Sequence, residues 1–357
     1  MSPKLRRLVV AAPLLFVVLA IVGALANYYD NRDGPSVKPL PSAPLRELGR
    51  AHDITLGTAV DDTPLRRESG YRKDLARQFA ALTPENAMKW DALEPERGSL
   101  RWAAADRAVA FATAHDMAVR GHTLVWHAQL PGWIADGRLG AAELRKVMRD
   151  HIATVMGRYK GRVRTWDVVN EVVGDDGALR KSVWLDTLGP AFIAEAFAAA
   201  RRADPKARLA INEIGAEGIG PKSETLYRLA KGLKARGLLD EVGFQSHFTL
   251  DGVPPTMRKN LGRFAALGLD IAITEADVRV RDAGTPEQLD VQGQVYADLV
   301  GTCRAVARCR SLTVWGFTDR HSWIPESSPG YGSATLLDRN LQSKPAYRAF
   351  AAALRRG

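Results

Sequence analysis

From residue 54 onward the chain alternates between short β-branched or apolar runs and longer segments whose apolar residues recur at spacings of three and four. The short runs fall at 54–60, 79–83, 118–126, 163–170, 207–212, 242–247, 269–274 and 312–317. The helical periods between them include 103–115, 141–159, 191–203, 223–236 and 286–307. Thr285-Pro286-Glu287 supplies a capping residue, a first-turn proline and a first-turn acid, and Asp204-Pro205 supplies a stop. Strands separated by helices imply a parallel sheet, because parallel neighbours need crossover connections. A doubly wound open sheet is the alternative, but a count of eight favours closure into a single (β/α)8 TIM barrel. No Gly-x-Gly-x-x-Gly or P-loop follows any run, which removes the usual nucleotide reading.

The N-terminal segment stands apart from this pattern. Lys4, Arg6 and Arg7 precede an apolar run over 8–26 that ends in Ala24-Leu25-Ala26. A charged stretch, an apolar stretch and small residues at the cleavage positions describe a signal peptide. The run also has about the minimum length of a spanning helix, so a retained, inside-positive membrane anchor is the alternative. Either way the remainder is expected outside the cytoplasm, in the periplasm or beyond. Residues 27–44, with Pro35, Pro39, Pro41 and Pro44, read as a Pro-rich linker, which leaves 45–357 for the barrel.

The formal net charge of +10 raises nucleic acid or an anionic surface as partners. The arginines, however, are scattered along helical segments, many beside Asp or Glu, with no basic run interleaved with aromatics. No nucleic acid is expected, and a membrane only through the N-terminal segment. The chain has two cysteines, Cys303 and Cys309, too few for a disulfide scaffold. No Cys/His cluster has zinc-site spacing, and neither a metal nor a cofactor is expected. In an exported protein the pair can close a short local bridge; otherwise they are two buried thiols.

In a closed barrel, function sits at the C-terminal ends of the strands. Strand two ends in Thr83-Pro84-Glu85-Asn86-Ala87-Met88-Lys89-Trp90, and strand three in Gly121-His122-Thr123-Leu124-Val125-Trp126-His127-Ala128-Gln129. Strand four ends in Trp166-Asp167-Val168-Val169-Asn170-Glu171, strand six in Gln245-Ser246-His247, and strand seven in Thr274-Glu275-Ala276-Asp277. Strand eight ends in Trp315-Gly316-Phe317-Thr318-Asp319-Arg320-His321-Ser322-Trp323. Singly, each residue is an ordinary cap, core group or surface charge. Closure aims them all at one mouth, where indole faces can stack on sugars and amides, imidazoles and Lys can address hydroxyls. Two carboxylates flanking a glycosidic bond are the minimal machinery for its hydrolysis. Strands four and seven lie on roughly opposite sides of an eight-stranded barrel, so Glu171 and Glu275 can face each other across it. A carbohydrate-binding barrel without catalysis and a metal-dependent barrel hydrolase are the rivals. Against the second, His122 and His127 sit five apart on a strand and so face opposite sides.

These motifs resemble those of the family 10 glycoside hydrolases, retaining endo-β-1,4-xylanases. Thr-Pro-Glu-Asn-x-Met-Lys-Trp, Gly-His-Thr-Leu-Val-Trp-His-x-Gln, Trp-Asp-Val-Val-Asn-Glu, Ile-Thr-Glu-x-Asp and Val-Trp-Gly-x-Thr-Asp-x-x-Ser-Trp occur in the family's order, and the likeness spans about residues 50 to 355. The resemblance implies endo-hydrolysis of xylan and xylo-oligosaccharides, with another β-glycanase or aryl-β-glycosidase as the alternative. It makes Glu171 the acid/base and Glu275 the nucleophile. His247 and Asp277 fall on the pair that orients the nucleophile, and Asn170 on the residue that binds the sugar 2-hydroxyl. His122, Trp126, Gln245 and Trp315 fall on the walls of the cleavage subsite. Glu85, Asn86, Lys89, Gln129 and Trp323 fall on the next subsite toward the non-reducing end, and Cys303 and Cys309 on a pair that many members bridge. One position departs: Asn212-Glu213-Ile214 has isoleucine where the family usually has tyrosine, which bears on the leaving-group side.

Overall fold

The computed structural model describes residues 43–356. Its centre is a closed sheet of eight parallel strands: β1 (Thr55–Val60), β2 (Ala81–Pro84), β3 (Ala118–Gly121), β4 (Thr165–Asn170), β5 (Arg208–Glu213), β6 (Glu241–Phe244), β7 (Asp270–Val278) and β8 (Cys309–Val314). Each strand pairs in parallel with the next, and β8 pairs with both β7 and β1, which closes the barrel. Every residue of β4 and of β7 is buried. That is what a strand shows when side chains fill the interior and helices cover the outside.

The covering helices are α1 (Ser69–Gln78), α2 (Ala103–Ala114), α3 (Ala141–Arg158), α4 (Ala191–Ala203), α5 (Pro221–Ala235), α6 (Met257–Ala266), α7 (Pro286–Arg304) and α8 (Pro345–Arg355). α7 begins as expected: Thr285 accepts from the Gln288 amide, and the Gln288 side chain accepts from the Thr285 amide, with Pro286 at the first position. α4 buries Phe192, Ile193, Ala196, Phe197 and Ala200, and stops at Asp204. α1 and α6, which the sequence reading did not single out, each carry a polar residue on the buried face, Gln78 and Asn260. In α6, Asn260 sits fully buried beside Leu261 and Phe264, its amide donating to the carbonyls of Ala216, Glu217 and Gly218.

Several strand boundaries differ from those read from the sequence; β7, for one, runs on to Val278. The apolar run at 118–126 stays in the sheet only to Gly121; a cis peptide joins His122 to Thr123, and Val125 returns to the sheet only as a single bridge to Val169. His122 and His127 therefore do not alternate along one strand, and their spacing does not set them on opposite faces. The run at 242–247 breaks after Phe244 at Ser246, whose φ of 63° is left-handed, before His247–Phe248 pairs with Asp277–Val278. The last strand begins at Cys309, earlier than its apolar stretch, because Cys309 is already in register with Ile271. Cys303, at the end of α7, is disulfide-bonded to Cys309 at the start of β8, so the two are not free thiols. Residues 1–26 and most of the linker lie outside the described residues. Among the described residues no helix is long and apolar enough to cross a membrane.

Candidate active site

Glu171 follows the last residue of β4 with a left-handed φ of 55°, a conformation that costs a non-glycine residue energy and persists only where surroundings impose it. Here its amide donates to the Asn212 carbonyl at 2.9 Å, which fixes the turn against β5. The carboxylate receives the Gln245 amide on Oε1 at 3.0 Å, while Oε2 lies 3.9 Å from His127 Nε2.

Across the mouth, Glu275 and Asp277 alternate along β7 and so point the same way. His247 sits between them, Nε2 3.3 Å from Glu275 Oε2 and Nδ1 2.9 Å from Asp277 Oδ2. Trp323 Nε1 donates to the same Asp277 oxygen at 2.8 Å. Asn212 Nδ2 donates to Glu275 Oε1 at 2.7 Å and to Asn170 Oδ1 at 2.9 Å, and Asn212 Oδ1 accepts from Thr274 at 2.6 Å. Gly243 makes room for this cluster: a Cβ there would stand 2.4 Å from Asn212 Oδ1.

The electrostatics follow from these contacts. Burial pushes the Glu275 carboxyl up, but the hydrogen bond from His247 and the nearby imidazoles outweigh it and hold the group below its ordinary range. Burial likewise pushes His247 down, yet the Asp277 charge and the bonds to both acids raise it to about 10. The nucleophile candidate is thus an ionised carboxylate beside a cationic imidazole. Beneath it, His122 Nδ1 lies 3.0 Å from Asp167 Oδ2, and Asp167 is itself forked by Arg120, which also donates to Glu241 at 2.6 Å.

The adjoining wall comes from β2 and the loop after β3. Lys89 Nζ donates to Asn86 Oδ1 at 2.9 Å and stands 5.1 Å from the Trp126 ring centre. Burial lowers the Lys89 ammonium, against the pull of Glu275 and Glu85. Burial raises Glu85 to about 7, partly offset by Lys89. Trp315 meets His122 edge to face at 5.3 Å, and Trp323 lies against His247 at 5.0 Å.

One cleft of about 510 Å³ is lined by Glu85, Asn86, Lys89, His122, Trp126, Gln129, Asn170, Glu171, Gln245, His247, Glu275, Trp315 and Trp323. Asp277 sits directly behind His247. Every residue singled out from the sequence for the site is therefore brought to one place. Ile214, Glu326 and Ser327 also line it. Sequence reading did not assign roles to Asn212, Thr274 or Arg120. Asn212 was discoverable, since it too lies at the C-terminal end of a strand; Arg120 acts from deep within the barrel, where no strand-end rule reaches. Among the described residues no group of three or more His, Cys, Asp or Glu side chains is arranged to hold a metal ion.

Paired carboxylates at the C-terminal mouth of a (β/α)8 barrel, set among indoles and amides, define a glycoside hydrolase. The family model for glycosyl hydrolase family 10 matches residues 44–353, and the chain belongs to that family. It is 44% identical over 280 residues to endo-1,4-beta-xylanase A of Fusarium oxysporum f. sp. lycopersici, covering 76% of this chain and 86% of the relative. It is 41% identical over 336 residues to endo-1,4-beta-xylanase B of Thermotoga neapolitana, covering 93% and 94%. Among solved structures, xylanase 10B of Thermotoga petrophila RKU-1 in complex with xylobiose superposes with a TM-score of 0.85 at 42% identity, over 89% of this chain and 98% of that one.

Proposed function

We propose that this protein is an exported endo-β-1,4-xylanase that hydrolyses xylan with net retention, Glu275 attacking the anomeric carbon and Glu171 serving as acid and then base. Family membership and xylanase relatives along most of the chain support the substrate. The observation that carries the division of labour is the unlike surroundings of the two acids. Glu275 is fully engaged by His247 and Asn212, both donors, which favours the anion. Glu171 receives its donors, Gln245 and Asn170, on Oε1 only, so a proton is accommodated on Oε2, the oxygen left for the glycosidic bond.

The geometry then supports a sequence of two steps. Sugars enter along the wall of Glu85, Asn86, Lys89 and Trp323, with the cleavage-site ring against Trp315 and His122. Glu171 Oε2 delivers its proton to the leaving oxygen as Glu275 closes on the anomeric carbon. Asn170, whose Oδ1 accepts from Asn212 and whose Nδ2 donates to Glu171 Oε1 at 3.4 Å, keeps its second N–H for the sugar 2-hydroxyl, where a bond strengthens as charge develops. Glu171, now deprotonated, takes a proton from water, which releases the glycosyl group from Glu275 with the original configuration. Export rests on the basic-then-apolar residues 4–26, with cleavage after Ala26 freeing the barrel; N-terminal sequencing of the exported enzyme tests this.

NMR of the first product from xylan tests the chemistry. A β-anomer appearing first, from cuts within the chain, is the expected result. An α-anomer appearing first would overturn the assignment of Glu275 as nucleophile.

A further inference from the structure

Opposite the catalytic mouth, the N-terminal ends of the strands enclose a second cavity of about 240 Å³. Its inner wall is polar: Thr83 and Thr313, 2% and 5% exposed, line it without forming a side-chain hydrogen bond among the described residues. Its rim is rich in arginine. Two of its three acids are already committed. Glu241 takes Arg120 at 2.6 Å and Arg208 at 3.8 Å, and Asp270 takes Arg208 at 2.5 Å and Arg308 at 2.7 Å. Arg164, at the start of β4, and Arg310, in β8, are left with no ion pair or hydrogen bond to their guanidinium groups among the described residues. The one acid in the lining that is likewise uncommitted is Asp53. Arg164, Arg310 and Asp53 all sit exposed at the rim of the recess, above the buried hydroxyls of Thr83 and Thr313.

We propose that this recess is a binding site for a tetrahedral inorganic oxyanion, phosphate or sulfate, held between Arg164 and Arg310. Guanidinium forks match the oxygen spacing of such anions, and the concave recess beneath these exposed rim arginines focuses their field more than a flat surface would. The volume is that of several waters, enough for the anion with part of its hydration shell. β4 and β8 lie on opposite sides of the closed sheet, so the bound anion links them across the N-terminal end of the barrel and stabilises the folded state alone. Asp53 opposes binding, which gives the proposal a sign that general salt effects lack.

The test is thermal unfolding of the full chain with increasing phosphate or sulfate at constant ionic strength, sodium chloride making up the balance. The native sequence should show a rise in Tm that saturates in the millimolar range. Arg164→Gln with Arg310→Gln should weaken binding by at least about tenfold, since each lost charge-assisted bond is of that order. Asp53→Asn should shift half-saturation to lower anion concentration. Xylan hydrolysis should be retained in all variants, because the recess is at the far end of the barrel. A Tm that does not respond, that rises without saturating, or that rises equally in the double variant overturns the proposal. Should the double variant not fold, the single arginine variants and Asp53→Asn carry the same test, with opposite signs required of them.

Discussion

Asn212 ties the two halves of the catalytic mouth together: its one amide nitrogen lies 2.7 Å from Glu275 Oε1 and 2.9 Å from Asn170 Oδ1. A hydrogen bond to an ionised group contributes about 1.5–3 kcal/mol. Asn212→Ala should therefore lower kcat/KM on xylan by about 10–150-fold. Asn212→Asp should do worse, because it sets a second negative charge against Glu275 and drives its pKa up. Kinetics across pH separate the two: the acidic limb should move upward for Asp, and an unmoved limb would show that Asn212 only fills space.

The two glutamates should fail in different ways. Glu275→Ala should lose at least about 10⁴-fold in kcat, as loss of a covalent nucleophile does, and azide should restore turnover with an α-glycosyl product. Glu171→Ala should spare aryl glycosides with very good leaving groups and fail on xylan, which alone needs protonation. Equal losses on both substrates would remove Glu171 from the acid role.

The His247 bridge sets a pH dependence. Its folded value, raised to about 10, lies above the ordinary 6.5. Its contribution to stability is therefore complete below about 6.5 and is lost as pH rises through about 10. Glu275, held low, contributes stability that is present above its ordinary 4.5 and lost as pH falls through the depressed value. His247→Gln should remove the alkaline loss and raise the pKa governing the acidic limb of kcat/KM. Thermal unfolding against pH, paired with kinetics, reads both; a variant with an unchanged acidic limb would show that His247 does not hold Glu275 ionised.

The Cys303–Cys309 bridge closes a loop with a sequence separation of 6, for which chain entropy gives about 2–3 kcal/mol. Reduction should lower Tm and release two thiols in denaturant. Two thiols titrating without reductant would show that the bridge is absent from the exported protein.

The catalytic mouth was readable in the sequence because a barrel converts strand-end position into spatial position. Glu85, Glu171, Gln245, Glu275 and Trp323 are far apart along the chain yet obey one rule. What escaped was whatever depended on packing rather than on pattern. The apolar run through Val125 reads as strand, but the chain leaves the sheet at Gly121, where a Cβ would stand 2.2 Å from the Trp166 ring. Asn260 is a polar residue on the buried face of α6, where its amide serves three loop carbonyls rather than solvent. Arg120 looks like any strand arginine until Asp167 and Glu241 are folded around it.

Ile214 provides the most demanding prediction. It lines the cleft beside Glu171, and its amide donates to Glu213 Oε1 at 3.2 Å, so its backbone is fixed and only the side chain differs from the family's usual tyrosine. Isoleucine offers apolar area without a flat face, and an aromatic contact adds about 0.5–1.5 kcal/mol beyond area alone. Sugars on the non-reducing side should bind normally through Glu85, Asn86, Lys89 and Trp323, while the leaving-group side is held loosely. The deficit should fall on short oligosaccharides, which cannot recruit more distant subsites, and less on polymer. Ile214→Tyr should then raise kcat/KM for xylotriose or xylotetraose by about 2–12-fold, the equivalent of that energy, and leave aryl xylobiosides nearly unchanged. Glu213 is buried and raised to about 8, first by burial and only partly offset by Lys222, so a substitution that disturbed it would also alter the pH profile. Unchanged turnover of short oligosaccharides at an unchanged pH profile would mean that another residue near Glu213 or Glu217 already grips the leaving group.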